Sequence, residues 1–95
     1  MGDSKERDLD EIILFGEKFE AYCQDMRDYV RVMLQDAGAA ESVLKDDISK
    51  NNIEGVYGFC DKVNRIVDCG EQPVLELVKK AQRMKEQLEE LGRSR

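Results

Sequence analysis

The sequence predicts an all-α protein, and three observations indicate it. Charged residues make up 38% of the 95 residues and aromatic residues only 6%, a composition typical of long helices and coiled coils. Apolar residues recur alternately three and four positions apart in both halves, which keeps one stripe of a helix facing a partner. One polar stretch between the halves indicates a turn. The predicted fold is therefore an antiparallel hairpin of two long amphipathic helices, in a single domain over residues 1–95.

The first helix is predicted over residues 8–49. Asp8 can cap its N-terminus while Glu11 reaches back to the cap, and residues 1–7 are expected to form a disordered tail. Gly38 is a candidate C-terminal signal, but the apolar stripe passes it without a change of phase. We therefore expect the helix to continue, at a cost of about 1 kcal/mol relative to Ala. The first stripe comprises Leu9, Ile12, Gly16, Phe19, Cys23, Met26, Val30, Met33, Ala37, Ala40 and Leu44.

A polar turn is predicted at residues 50–53. The stretch Ser49-Lys50-Asn51-Asn52 favours local hydrogen bonds between side chains and backbone over helix. Asn51 followed by Glu54 repeats the capping pattern and begins the second helix, which is predicted over residues 54–91. The two arms would each contain about 40 residues and be about 60 Å long. Arms of equal length favour a hairpin.

The second helix contains Pro73, which removes one helical hydrogen bond and clashes with the preceding turn. The apolar stripe also changes phase beside it, so a kink is expected at residues 70–73. A full break there, together with a break at Gly38, would instead give a three-helix bundle. The second stripe comprises Val56, Phe59, Val63, Ile66, Val74, Leu77, Ala81, Met84, Leu88 and Leu91.

Aromatic residues beside the first stripe widen its apolar face. Phe15, Tyr22 and Tyr29 recur every seven residues. A two-helix hairpin offers little internal space for so wide a face, which favours docking against a second hairpin over packing on the chain's own second helix. The predicted assembly is a homodimer or heterodimer that forms a four-helix bundle. The residues predicted to bind the partner are Ile13, Phe15, Phe19, Tyr22, Met26, Tyr29 and Met33.

The net charge of -6 falls on the first half of the chain, since residues 1–52 carry 13 acidic and 7 basic side chains. Binding to nucleic acid or to an anionic membrane depends mainly on Lys and Arg, so this half favours a basic protein surface instead. No apolar run approaches the roughly 18 residues of a membrane span, and the N-terminus lacks the core of a signal peptide. The expected location is cytoplasmic, or outside the cell by export without a cleavable signal peptide.

The sequence indicates neither catalysis nor a cofactor. Three cysteines cannot form a closed disulfide framework, which suggests a reducing compartment. Cys23 lies on the first stripe, where packing explains it. Cys60 and Cys69 fall on opposite faces of the helix. A redox role for any of the three stays open. With no His a zinc site has too few ligands, and the calcium-loop-like stretch from Asp47 lacks the required Gly and Glu. We expect no metal, no small-molecule substrate and no enzyme activity.

These features resemble the small helical-hairpin proteins of bacterial type VII secretion, the Trp-x-Gly hundred-residue superfamily, and the related small partners of Leu-x-Gly toxins. The resemblance covers most of the chain through its length, two amphipathic arms, central turn and acidic charge. The Trp-x-Gly motif is absent, and its nearest equivalents are Ile53-Glu54-Gly55 and Val56-Tyr57-Gly58. The family's export signal, Tyr followed four residues later by an acidic residue, is matched by Tyr57 and Asp61. In the family, however, that signal follows the second helix.

The resemblance implies a non-enzymatic helix-binding partner or targeting protein. Such a protein would associate with the helical N-terminal domain of a type VII secretion substrate and help present it to the secretion machinery. The departures from both motifs favour a divergent partner over a typical secreted member. The alternative function is a cytoplasmic, homo-oligomeric coiled-coil adaptor or chaperone unrelated to secretion.

Overall fold

The computed structural model describes residues 2–93, with side chains from Ser4 to Arg93, and these residues form two helices and no strand. Helix α1 is Gly2–Val43 and helix α2 is Asp47–Arg93. The predicted all-α hairpin is confirmed. The three-helix alternative is wrong, because both helices are uninterrupted.

The contacts between the helices divide the hairpin into two compact units. The turn unit is Tyr22–Cys69, and the terminal unit comprises the described residues up to Ala21 and from Gly70 onward. Each unit contains one segment of α1 and one of α2, so each has its own packing between helices.

The turn unit packs through a buried seam whose members recur every seven residues in both helices. Its side chains are small or medium-sized, and Cys60 is only 1% exposed. Small side chains allow two helix backbones to approach closely, while the seven-residue spacing keeps the contact on one stripe. The seam of the turn unit comprises Cys23, Val30, Ala37, Ile53, Cys60 and Val67.

The terminal unit brings its helices together at glycines. A Cβ added to Gly16 would overlap the Val78 side chain, and one added to Gly70 would lie 3.2 Å from the Phe19 ring. At Gly16 the absence of a Cβ is what allows the close approach, whereas at Gly70 a Cβ would make a tight contact that requires a small shift of the ring. Leu9 and Ala81 are buried in the same unit.

The connection between the helices lies earlier than the sequence predicts. The connection consists of Leu44, Lys45 and Asp46. The prediction of a turn at residues 50–53 is therefore wrong, and so is the prediction that helix α1 extends to residue 49. The Asp46 carboxylate accepts hydrogen bonds from the Ser49 backbone N–H at 3.0 Å and from Ser49 Oγ at 2.7 Å. These bonds cap α2 and hold the pKa of Asp46 below its ordinary value. The predicted cap at Asn51 lies within α2.

The remaining boundaries also differ from the predictions. Helix α1 passes through Gly38, as expected. It begins at Gly2, so the predicted start at Asp8 is wrong. The predicted disordered tail is also wrong for residues 2–7, which are helical. Met1 lies outside the described residues. Residues 4–7 include neither Gly nor Pro, and Lys, Glu and Arg favour helix.

Helix α2 is continuous through Pro73 and extends to Arg93, beyond the predicted end at residue 91. The predicted change of phase is wrong. Buried residues keep the seven-residue spacing from Cys60 and Val67 to Ala81, with half-buried Val74 between them. Before Pro73 the predicted stripe includes the column of Phe59 and Ile66, and after Pro73 it includes the neighbouring column of Val74 and Ala81. The kink itself stays a prediction.

Candidate helix-binding face

A second apolar surface of the turn unit follows from its helical geometry. With the seam residues at position a of the heptad, position d lies three residues later, e lies four later, and g directly precedes the next a. In an antiparallel pair, the d and g positions of both helices lie on one side of the seam, and the e positions lie on the other. The two sides of this unit carry different side chains.

The d and g side of the turn unit is apolar, and its side chains are large. Tyr22, Tyr29, Phe59 and Ile66 are 68%, 65%, 56% and 69% exposed, although each directly precedes a buried seam residue. Single exposed apolar residues are common, but a contiguous set of large ones marks an interaction surface. We call this set the apolar face; it comprises Tyr22, Met26, Tyr29, Met33, Val56, Phe59, Val63 and Ile66.

A groove of about 470 Å³ lies at the end of the apolar face nearest the connection between the helices. Met33 and Ala40 line it from α1 and Val56 lines it from α2, so d positions of both helices do share one side. We call it the turn groove. Its lining residues are Met33, Asp36, Ala37, Ala40, Leu44, Ser49, Asn52, Ile53 and Val56.

The opposite side of the turn unit is polar, and there side chains of the two helices bind each other. Arg27 forms an ion pair with Asp68 at 3.0 Å. The Tyr57 hydroxyl donates a hydrogen bond of 2.7 Å to the Glu41 carboxylate. That bond favours the protonated phenol and raises the pKa of Tyr57. Polar contacts between the helices thus occupy the side opposite the apolar face.

The structure brings together some of the residues predicted to bind a partner. Tyr22, Met26, Tyr29 and Met33 lie on the apolar face. The other three predicted residues, which belong to the terminal unit, are Ile13, Phe15 and Phe19. The binding role of these seven residues stays a prediction.

In the terminal unit, the rings of Phe15 and Phe19 are in contact, with centroids 6.0 Å apart. Phe15 is half exposed, whereas Phe19 lies against Gly70. Ile13 lies at an e position and lines a cleft with Gly16 and Val78, so heptad geometry places it on the side away from Phe15.

The α2 half of the apolar face is absent from the predicted partner-binding residues. The second predicted stripe includes Val56, Phe59, Val63 and Ile66, but Phe59 and Ile66 are more than half exposed. The seven-residue spacing of Ile53, Cys60 and Val67 was the signal that could have corrected this. Those three residues are buried in the seam.

The cysteines are distributed between the seam and the surface. Cys23 and Cys60 are buried, while Cys69 is exposed. Among the described residues, no three Cys, Asp or Glu side chains converge as a group that could hold a metal ion.

Within residues 2–93, neither helix contains a segment both long and apolar enough to cross a membrane. Comparisons with protein-family models, with curated proteins and with solved structures give no match. The following proposal therefore rests on the geometry of the turn unit and on the resemblance described above.

Proposed function

We propose that the chain is a non-enzymatic helix-binding protein whose apolar face packs against helices of another molecule. The observation that carries this proposal is the reversal of size and exposure in the turn unit. Small residues such as Cys60 fill the seam, while large residues such as Phe59 lie outside it. Exposing large aromatic and aliphatic side chains to water is costly, and covering them is the main driving force for association.

The spacing of the apolar face supports a helical partner. Its residues recur every three, four or seven positions along both helices, which forms ridges and grooves with helical periodicity. A partner helix laid along the hairpin can insert its own apolar residues between these ridges. Tyr22, Tyr29 and Phe59 would act as anchors, because aromatic residues bury a large area with few rotatable bonds.

The assembly we propose is a homodimer or heterodimer in which two hairpins form a four-helix bundle. The resemblance to small type VII secretion proteins suggests the partner: the helical N-terminal domain of a type VII secretion substrate. In this proposal the chain acts in the cytoplasm, by association alone, as a targeting or chaperone-like component.

Co-expression with the product of the neighbouring gene tests the proposal. We expect co-purification of a larger protein with a helical N-terminal domain, and light scattering should give the mass of a complex. Tyr29→Ser should abolish co-purification, whereas Leu34→Ser should not, since Leu34 lies at an e position on the polar side. Recovery of a cytosolic enzyme or regulator would favour the adaptor function instead. A chain that stays a monomer with the neighbouring product and other helical partners would contradict the proposal.

A further inference from the structure

We infer that the turn groove is the specificity site of the apolar face, and that it takes an amphipathic helix whose apolar residues are flanked by Lys or Arg. This inference rests on the proposed function and names the partner's chemistry. Three features of the groove support it: its recessed floor, its single charged lining residue and the charge of the surrounding unit.

The floor of the groove is recessed because alanines replace large side chains there. Ala37 and Ala40 lie on α1 between Met33 and Leu44, the first residue after the helix, and Ile53 lies opposite on α2. The resulting volume of about 470 Å³ is within the range of sites that bind compact ligands. Apolar residues at positions i and i+3 or i+4 of a helix project together, so two of them can enter one such groove.

The rim of the groove is acidic. Asp36 is the one charged residue among the nine that line it. None of the ion pairs found among residues 4–93 uses Asp36, whereas Asp28 and Asp68 are paired with arginines elsewhere in the unit. A Lys or Arg beside the partner's apolar residues would find a carboxylate at this edge.

The turn unit as a whole carries the same sign of charge. Tyr22–Cys69 contains nine acidic and six basic residues, a net charge of -3. A second copy of this chain would bring an equally negative unit to the groove, which like-charge repulsion disfavours. A basic amphipathic helix of a different protein has the complementary charge, so the inference favours a heterodimer.

Three synthetic peptides of about 18 residues would test this chemistry, each with leucines at helical spacing. The first carries Lys beside the leucines, the second carries Glu there, and the third keeps Lys but replaces the leucines by Ser. Each is titrated into the full-length chain, and the amide resonances are followed by NMR. We expect the Lys peptide to shift Ala37, Ala40 and Ile53, to bind about fivefold more tightly than the Glu peptide at low salt, and to require its leucines.

Matched variants locate the site. Ala40→Leu fills the groove and should weaken binding of the Lys peptide about tenfold. Ala39→Leu, an exposed position that does not line the groove, should leave it unchanged. Asp36→Asn should remove most of the preference for Lys over Glu, whereas Asp25→Asn, which lies outside the groove, should retain it.

The outcomes separate this inference from the proposed function. Peptides that bind at Tyr22, Tyr29 and Ile66 but leave the groove unshifted would overturn the inference and leave the helix-binding function intact. Equal binding of the Lys and Glu peptides would also overturn it, as would a groove covered by a second copy in the absence of peptide. If no helical peptide or partner shifts any residue of the apolar face, the proposed function fails as well.

Discussion

The seam and the apolar face of the turn unit are adjacent in sequence but have opposite surroundings. Tyr22 precedes Cys23, and Phe59 precedes Cys60; in each pair the larger residue is exposed and the smaller one is buried. A core built for stability alone would bury the larger residue, because stabilisation grows with the apolar area removed from water. The hairpin instead uses small residues for close helix contact and leaves the large ones available.

If the proposed function is correct, this difference separates stability from recognition. Seam residues contribute to folding of the hairpin, whereas residues of the apolar face contribute little to it and, in the proposed function, become buried on association. Substitutions in the seam should therefore change the free energy of unfolding, whereas substitutions on the apolar face should change the affinity for a partner.

Ile53 and Ile66 offer the sharpest comparison, since both are isoleucines of α2 in the turn unit. Ile53 is buried in the seam, and Ile66 is 69% exposed on the apolar face. Ile53→Ala should lower the free energy of unfolding by about 2–5 kcal/mol, and Ile66→Ala by no more than about 0.5 kcal/mol. Urea denaturation followed by circular dichroism measures both. Equal losses would show that the two regions do not differ in packing.

Gly16 extends the comparison to the helix contact of the terminal unit. Gly16→Ala should destabilise by about 1–3 kcal/mol, because the added Cβ overlaps Val78, whose β-branched side chain has little freedom in a helix. Adding Val78→Ala should recover part of the loss. Gly58→Ala is the control: apart from its chain neighbours and the nearby backbone of its own helix, nothing lies within 4 Å of the added Cβ, so better helix propensity should stabilise the chain by about 0.5–1 kcal/mol. A stabilising Gly16→Ala would contradict the close contact.

Asp46 tests the connection that sets the seam residues of α1 and α2 opposite each other. Asp46→Ala removes the hydrogen bonds from Ser49 and should lower the melting temperature by about 4 °C at neutral pH. Because folding lowers the pKa of Asp46, its contribution is present above the ordinary pKa of an aspartate and is lost as pH falls through the folded value. The difference from wild type should therefore disappear in acid. Asp47→Ala provides a neighbouring control, and an equal effect there would remove the special role of Asp46.

Tyr57 tests the polar side with the smallest expected effect. Tyr57→Phe keeps the ring and removes the hydrogen bond to Glu41, so the melting temperature should fall by less than for Asp46→Ala. Folding raises the pKa of Tyr57, so the contribution is complete below the ordinary pKa of a tyrosine and is lost as pH rises through the folded value. The difference between the ultraviolet titrations of wild type and Tyr57→Phe should show the Tyr57 phenol ionising above the ordinary pKa of a tyrosine. A difference curve centred at the ordinary pKa would contradict the bond.

The sequence was sufficient for the fold class and for the passage of α1 through Gly38, because the seven-residue pattern of the first half is unbroken. It was insufficient for the connection between the helices. Polar residues such as Ser49 and Asn51 favour a turn, but they also suit the first turn of a helix. The hydrogen bonds between Asp46 and Ser49 decide between these possibilities, and they depend on three-dimensional geometry.

The assignment of the second stripe failed for a different reason. Two apolar columns lie side by side on α2, and hydrophobicity alone favoured the column with the larger residues, Phe59 and Ile66. Which column contacts α1 depends on how closely the backbones approach, and the smaller residues Cys60 and Val67 allow the closer contact. The predicted partner-binding residues therefore all lie on α1, and the exposed apolar column of α2 is absent from them.

A matched pair of variants tests whether the apolar face is a binding surface. Phe59→Ser removes a large residue of the apolar face, whereas Leu34→Ser removes an exposed apolar residue from the polar side. Affinity for the co-purified helical partner would be measured by calorimetry, with the melting temperature as a control for folding. We expect Phe59→Ser to weaken binding by at least about thirtyfold with little change in melting temperature, and Leu34→Ser to bind as wild type. Equal affinities for the two variants would contradict the claim.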